Sequence, residues 1–168
     1  MALLITALSI NVRQLASYLA FSDYAQLVEE ISEGRFMPSD LDRISSFLAY
    51  YETENISCRS EEIRVFAILA LYRADLLAAQ KGVSPFDYSP DLGLQLARAQ
   101  AMRAIQGLLR CSPMDGDMWL RLALVGRTMG LEQSLLDTYL AWSRTTAPHE
   151  GGVQRRREDL SRSERSGP

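Results

Sequence analysis

One histidine, His149, and two cysteines, Cys58 and Cys111, are all the imidazole and thiol groups the chain has. Zinc sites draw on several such residues at short spacing. His149 stands beside Pro148 with no such set around it. The sequence also lacks a Gly-rich phosphate loop, a nucleophile-elbow serine and any sustained strand-like alternation. Its carboxylate pairs, Glu29–Glu30, Glu61–Glu62 and Glu158–Asp159, are adjacent. On a helix such neighbours diverge, so they read as solvated faces. The expectation is a protein that is not an enzyme and uses no cofactor or metal. A net charge of −3 and a pI near 5.2 give no basic excess, which makes nucleic acid an unfavoured partner.

Long apolar runs are missing too. MALLITALSI is closed by Asn11 and Arg13, well short of the roughly 20 residues needed to cross a bilayer. It has neither a basic leader nor a small-residue cleavage site. Residues 1–33 continue the stripe through Leu8, Val12, Leu15, Leu19, Leu27, Val28 and Ile31. This is an amphipathic first helix or the end of a membrane anchor whose first part precedes Met1. The second reading leaves a membrane contact through the N-terminus open.

What is abundant is leucine and alanine at helical spacing. Hydrophobic content of 47% and charged content of 23% are ordinary for a globular chain, and 168 residues suffice for one well-cored domain. The fold class expected is all-α, with about six to seven helices. Gly34 caps the first helix and Pro38 opens a turn. Ser39-Asp-Leu-Asp resembles a capping box for a helix to about Glu54, with Leu41, Ile44, Phe47, Leu48 and Tyr51 on its buried face. A polar turn over 53–59 leads to Ser60-Glu61-Glu62, whose carboxylates favour a helix N-terminus. Val65 to Tyr72 is uninterrupted apolar sequence fenced by Arg64, Arg73 and Asp75. That marks a helix covered on several sides, ended by Gly82. After a loop over 83–89, Ser89-Pro90-Asp91 restarts helix with Pro in the first turn.

The chain from Ala99 to Pro148 organises the rest. Leu94, Ala97, Ala101, Ile105 and Leu108 share one helix face. Pro113 forces an end near Cys111 by pushing Ser112 out of helical dihedrals. Asp115 is placed to cap the next helix, whose stripe is Met118, Leu122, Val125 and Met129, with Trp119, Ala123 and Gly126 beside it. Gly130 closes it in a left-handed conformation. A following helix carries Leu135, Tyr139 and Trp142 on one edge and Leu136 and Leu140 on the other, and Pro148 ends it.

These residues resemble the tetratricopeptide repeat (TPR). Trp119, Leu122 and Ala123 fill first-helix positions, Gly130 the turn and Tyr139 the aromatic position. Ala101 and Pro113 match the end of a preceding unit. Pro113 and Pro148 lie 35 positions apart, against roughly 34 for the family period. Gly126, Leu135 and Trp142 depart from the pattern, and about one and a half repeats are covered. The resemblance implies helical hairpins stacked as a right-handed array, although the same helices also suit a compact bundle. It further implies that Asp117, Leu120, Leu124, Arg127 and Thr128 point into a groove for a protein or peptide partner. Leu120 and Leu124 packing beneath a neighbouring helix is the alternative. Too few repeats for a solenoid leave a homo-oligomer open as well.

SPMDGDMWLRLA and its following helix also resemble small bacterial membrane-anchored proteins, some of which accompany surface-polysaccharide assembly. That implies an accessory role in the envelope. Cys58 and Cys111 each stand beside a turn. They are two buried thiols or a disulfide, and the bond would place the domain in an oxidising compartment such as the periplasm. Otherwise the chain reads as cytoplasmic. The domain organisation expected is a first helix over 1–33, a helical domain over 39–148 and a charged tail over 149–168. In the tail, Arg155, Arg156 and Arg157 are nearly offset, with the other arginines, by Glu150, Glu158, Asp159 and Glu164. A short helix over 153–160 and then a solvated, partly disordered end are expected.

Overall fold

The structure, a computed structural model, describes residues 21–31, 33, 35, 39–53, 58 and 60–165. Its helices are α1 (21–31), α2 (Asp40–Thr53), α3 (Ser60–Gln80), α4 (Leu92–Cys111), α5 (Gly116–Thr128), α6 (Gln133–Thr146) and α7 (Gly151–Arg165). No strand occurs among the described residues. The all-α expectation and its helix count hold. None of the described helices is long and apolar enough to cross a membrane. The stripe from Leu8 to Leu19, Gly34 and Pro38 lie outside the described residues.

The chain divides into two compact units, Met1–Asp42 and Arg43–Pro168. The boundary falls inside α2. In the first unit Leu27 and Ile31 are buried. The Arg35 N–H closes the end of α1 on the Glu30 carbonyl at 2.9 Å.

The second unit is built from consecutive helices that pack in order: α3 on α4, α4 on α5, α5 on α6, and α7 on α5. The apolar run of α3 is covered on several sides, with Phe66, Ala67, Leu69, Ala70 and Leu71 all buried. Leu94, Ala97, Ala101, Ile105 and Leu108 form the buried stripe of α4. Met118, Leu122 and Val125 do the same for α5.

The helix ends follow from local chemistry. At Gly82 (φ +66°) and Gly130 (φ +74°) the chain turns left-handed. Val83 N–H then returns to the Ala78 carbonyl and Leu131 N–H to the Gly126 carbonyl, at 2.9 and 3.0 Å. These are Schellman closures, and only glycine adopts that φ without a Cβ penalty. Asp115 caps α5, its Oδ1 accepting the Met118 N–H at 3.1 Å. Asp91 caps α4 in the same way, accepting the Leu94 N–H at 2.8 Å. Pro90 therefore precedes the cap and is not in the first turn of α4, because the carboxylate of Asp91 claims the cap position. Its pKa is lowered by the hydrogen bond from Lys81 and by that backbone N–H.

Candidate functional site: the α5–α6 hairpin and its cover

Trp119 and Tyr139 meet across the Gly130 bend with ring centroids 6.0 Å apart. Trp142 also stacks on Trp119, at 5.8 Å, while the indole N–H donates to the Pro113 carbonyl at 2.8 Å. One ring thus ties the second hairpin to the turn that closes α4. Gly126, which departs from the repeat pattern, has its space filled from the turn and the facing helix. A Cβ there would lie 3.0 Å from side-chain carbons of both Leu131 and Leu136.

At the other end of the hairpin the backbones of α5 and α6 nearly touch. Ser143, fully buried, donates its hydroxyl to the Gly116 carbonyl at 2.7 Å. The chain then turns through Ala147 and Pro148 into α7. Its Val153 is buried with Leu120 and Ala147, and Leu124 and Leu140 pack around them. The flanking polar contacts are made by arginines. Arg157 donates to the Ala147 carbonyl at 3.0 Å and to the Ser143 hydroxyl at 3.4 Å. Arg156 lies 2.8 Å from Oδ1 of Asp117 as an ion pair without hydrogen-bond alignment. Arg121 donates to the other oxygen of that carboxylate at 2.7 Å.

The five residues expected to line a groove therefore divide. Leu120 is fully buried and Thr128 nearly so, the Thr128 hydroxyl being used on the Val125 carbonyl at 2.8 Å. Leu124 is half-buried against the cluster that α7 completes. Asp117 is held by two arginines, and Arg127 is partly exposed. Packing of Leu120 and Leu124 beneath a neighbouring helix, the alternative weighed from sequence, is what the structure has. The helix of the tail is longer than the one expected over 153–160. α7 starts at the two glycines and runs to Arg165, since Val153 and two arginines anchor its first turns to α5 and α6.

Sequence reasoning missed a second polar cluster. Arg98, buried in α4, donates to the Thr128 carbonyl at 3.1 Å and the Asp87 carbonyl at 2.8 Å. It thereby latches the end of α5 and the 81–91 loop to α4. Asp75 of α3 interacts electrostatically with Arg98 and Arg121. Crowding by surrounding protein strips hydration from its carboxylate and raises its pKa to about 6, against the pull of those two cations. The residue is nonetheless exposed at the surface, where solvent screening reduces the size of this shift but leaves its direction.

Cys58 and Cys111 form a disulfide with Cα atoms 5.4 Å apart, so the bonded alternative is the one realised. Arg64 of α3 pairs with Asp115, the cap of α5. Among the described residues no group of three or more His, Cys, Asp or Glu side chains is gathered for a metal ion. Compared with protein-family models, curated proteins and solved structures, the chain matches none of them.

Proposed function

We propose that this protein is a non-catalytic protein–protein interaction module of the TPR-like type. One observation carries the reading. Two helical hairpins, α3–α4 and α5–α6, pack in sequence, each closed by a proline turn, with Trp119 wedged against Tyr139 inside the second. A stack of this kind presents its first helices as a continuous surface suited to an extended peptide or a partner helix. Leu124 and Arg127 stand at the border between the covered and open parts of α5. Recovery of a partner by tagged protein should fall at least tenfold when both are replaced by alanine. A pull-down unchanged by the double substitution contradicts the role of this face.

The disulfide favours a second reading, a membrane-anchored accessory protein of a bacterial envelope or polysaccharide-assembly system. Bonds of this type persist in oxidising compartments and are rare in reducing ones. Mass spectrometry of protein isolated under alkylating conditions tests it. Two alkylatable cysteines would remove its support.

A further inference from the structure

We infer that the face of α5–α6 covered by α7 is a docking seat for a basic helical segment of a partner. That segment carries one apolar residue followed three and four positions later by arginines, and α7 is its built-in competitor. The inference rests on the proposed interaction role and deepens it by naming what the surface takes.

The seat's chemistry is read from its present occupant. At its centre is an apolar socket of Leu120, Leu124, Leu140 and Ala147, entered by Val153. Around the socket stand acceptors: the Asp117 carboxylate, the Ala147 carbonyl and the Ser143 hydroxyl. Arg156 and Arg157 reach them because positions three and four beyond Val153 lie on the same helix face. A side chain that is acidic at those positions would meet oxygens and be repelled.

The occupant is held lightly. Among the described α7 side chains up to Glu158, Val153 is the only buried one, and its neighbours Gln154, Arg155 and Glu158 are exposed. Gly151 and Gly152 open the helix, with nothing within 4 Å of where a Cβ would stand on either. They are therefore not demanded by packing, and they lower the helix's own propensity. Between α6 and α7 lies an open surface depression of about 350 Å³ lined by Arg144, Pro148, Gln154, Arg157 and Glu158. A helix whose described side chains, up to Glu158, bury one valine and make a few arginine contacts fits the low-stability end of the structure. An external helix with the same pattern and better packing displaces it by mass action.

The test uses the full chain and a fluorescent peptide of its own residues 149–165 as the probe, read by anisotropy. Val153→Asp releases α7, so the peptide should bind that variant at least tenfold more tightly than wild type. Gly151→Ala with Gly152→Ala should tighten the internal helix and weaken peptide binding several-fold below wild type. A peptide carrying Val153→Asp should bind neither protein. Should Val153→Asp lose helical circular dichroism, Arg156→Ala with Arg157→Ala releases α7 without placing a charge in the socket, and the same gain is expected. Equal peptide affinity for wild type and the released variants overturns the seat, as does binding that ignores the peptide's valine. If the seat fails while Leu124- and Arg127-dependent capture persists, the interaction module stands without it. If capture fails while the peptide behaves as expected, the seat stands.

Discussion

A methyl group added at Gly116 would lie 2.3 Å from the Ala147 Cβ and 2.9 Å from its backbone nitrogen. Backbone cannot yield as a side-chain tip can, so α5 and α6 would have to separate. The Ser143 bond to the Gly116 carbonyl, 2.7 Å long and fully buried, would go with that movement. Gly116→Ala should cost about 1–3 kcal/mol, the range for overpacking a close contact, measured by urea denaturation. Gly116→Ala with unchanged stability would mean the helices are not this close. Asp75 gives the second residue-scale expectation. Its carboxyl, at about 6 folded against an ordinary 3.8, binds more protons in the folded state between those values. Stability therefore falls as pH rises from about 4 to 6. Asp75→Asn should flatten that part of the stability–pH curve. Solvent access at the side chain reduces the size of the effect, but not its sign. Superimposable curves for the two proteins would show that the carboxyl is not perturbed.

At the scale of elements, the Cys58–Cys111 bond fastens the approach to α3 to the last residue of α4 across a separation of 53 residues. Closing a loop of that length in the unfolded chain contributes roughly 4 kcal/mol in the chain-entropy picture. Reduction, or Cys111→Ser, should lower the free energy of unfolding by about that amount while leaving α-helical circular dichroism in place. A change below about 1 kcal/mol would place the bond's effect outside that picture. The other elements rely on caps and closures that the sequence displays openly. Asp91, Asp115, Gly82 and Gly130 are visible because their chemistry acts within four or five residues. Pro90 is the instructive exception. Pro suits both the first helical turn and the position before a cap, and the neighbouring Asp91 decides which is realised.

Over the whole molecule, the fold was legible wherever burial repeats at helical spacing. The stripes of α4 and α5, the covered helix α3 and the meeting of Trp119 with Tyr139 all follow from local pattern. The candidate site was only half legible. Asp117, Leu120, Leu124, Arg127 and Thr128 were assigned by position on α5, but the burial of Leu120 and Leu124 and the pairing of Asp117 depend on α7, which that position does not reveal. That helix looked like a solvated tail because its charges nearly cancel. Net charge is blind to placement: Arg156 and Arg157 matter for the acceptors they reach, and Val153 for the socket it meets. Gly116 and Ala147, 31 positions apart, carry no mutual signal in one sequence.

The central claim is that a firm two-hairpin body, α3 to α6, carries a lightly held cover. Native-state hydrogen exchange, resolved helix by helix, tests it most directly. The expected result is near-global protection in the buried stretches of α3, α4 and α5. Amides of α7 should exchange through openings of much lower free energy, and faster still in Val153→Asp. Amides of α7 as slow as those of α5 would contradict the account.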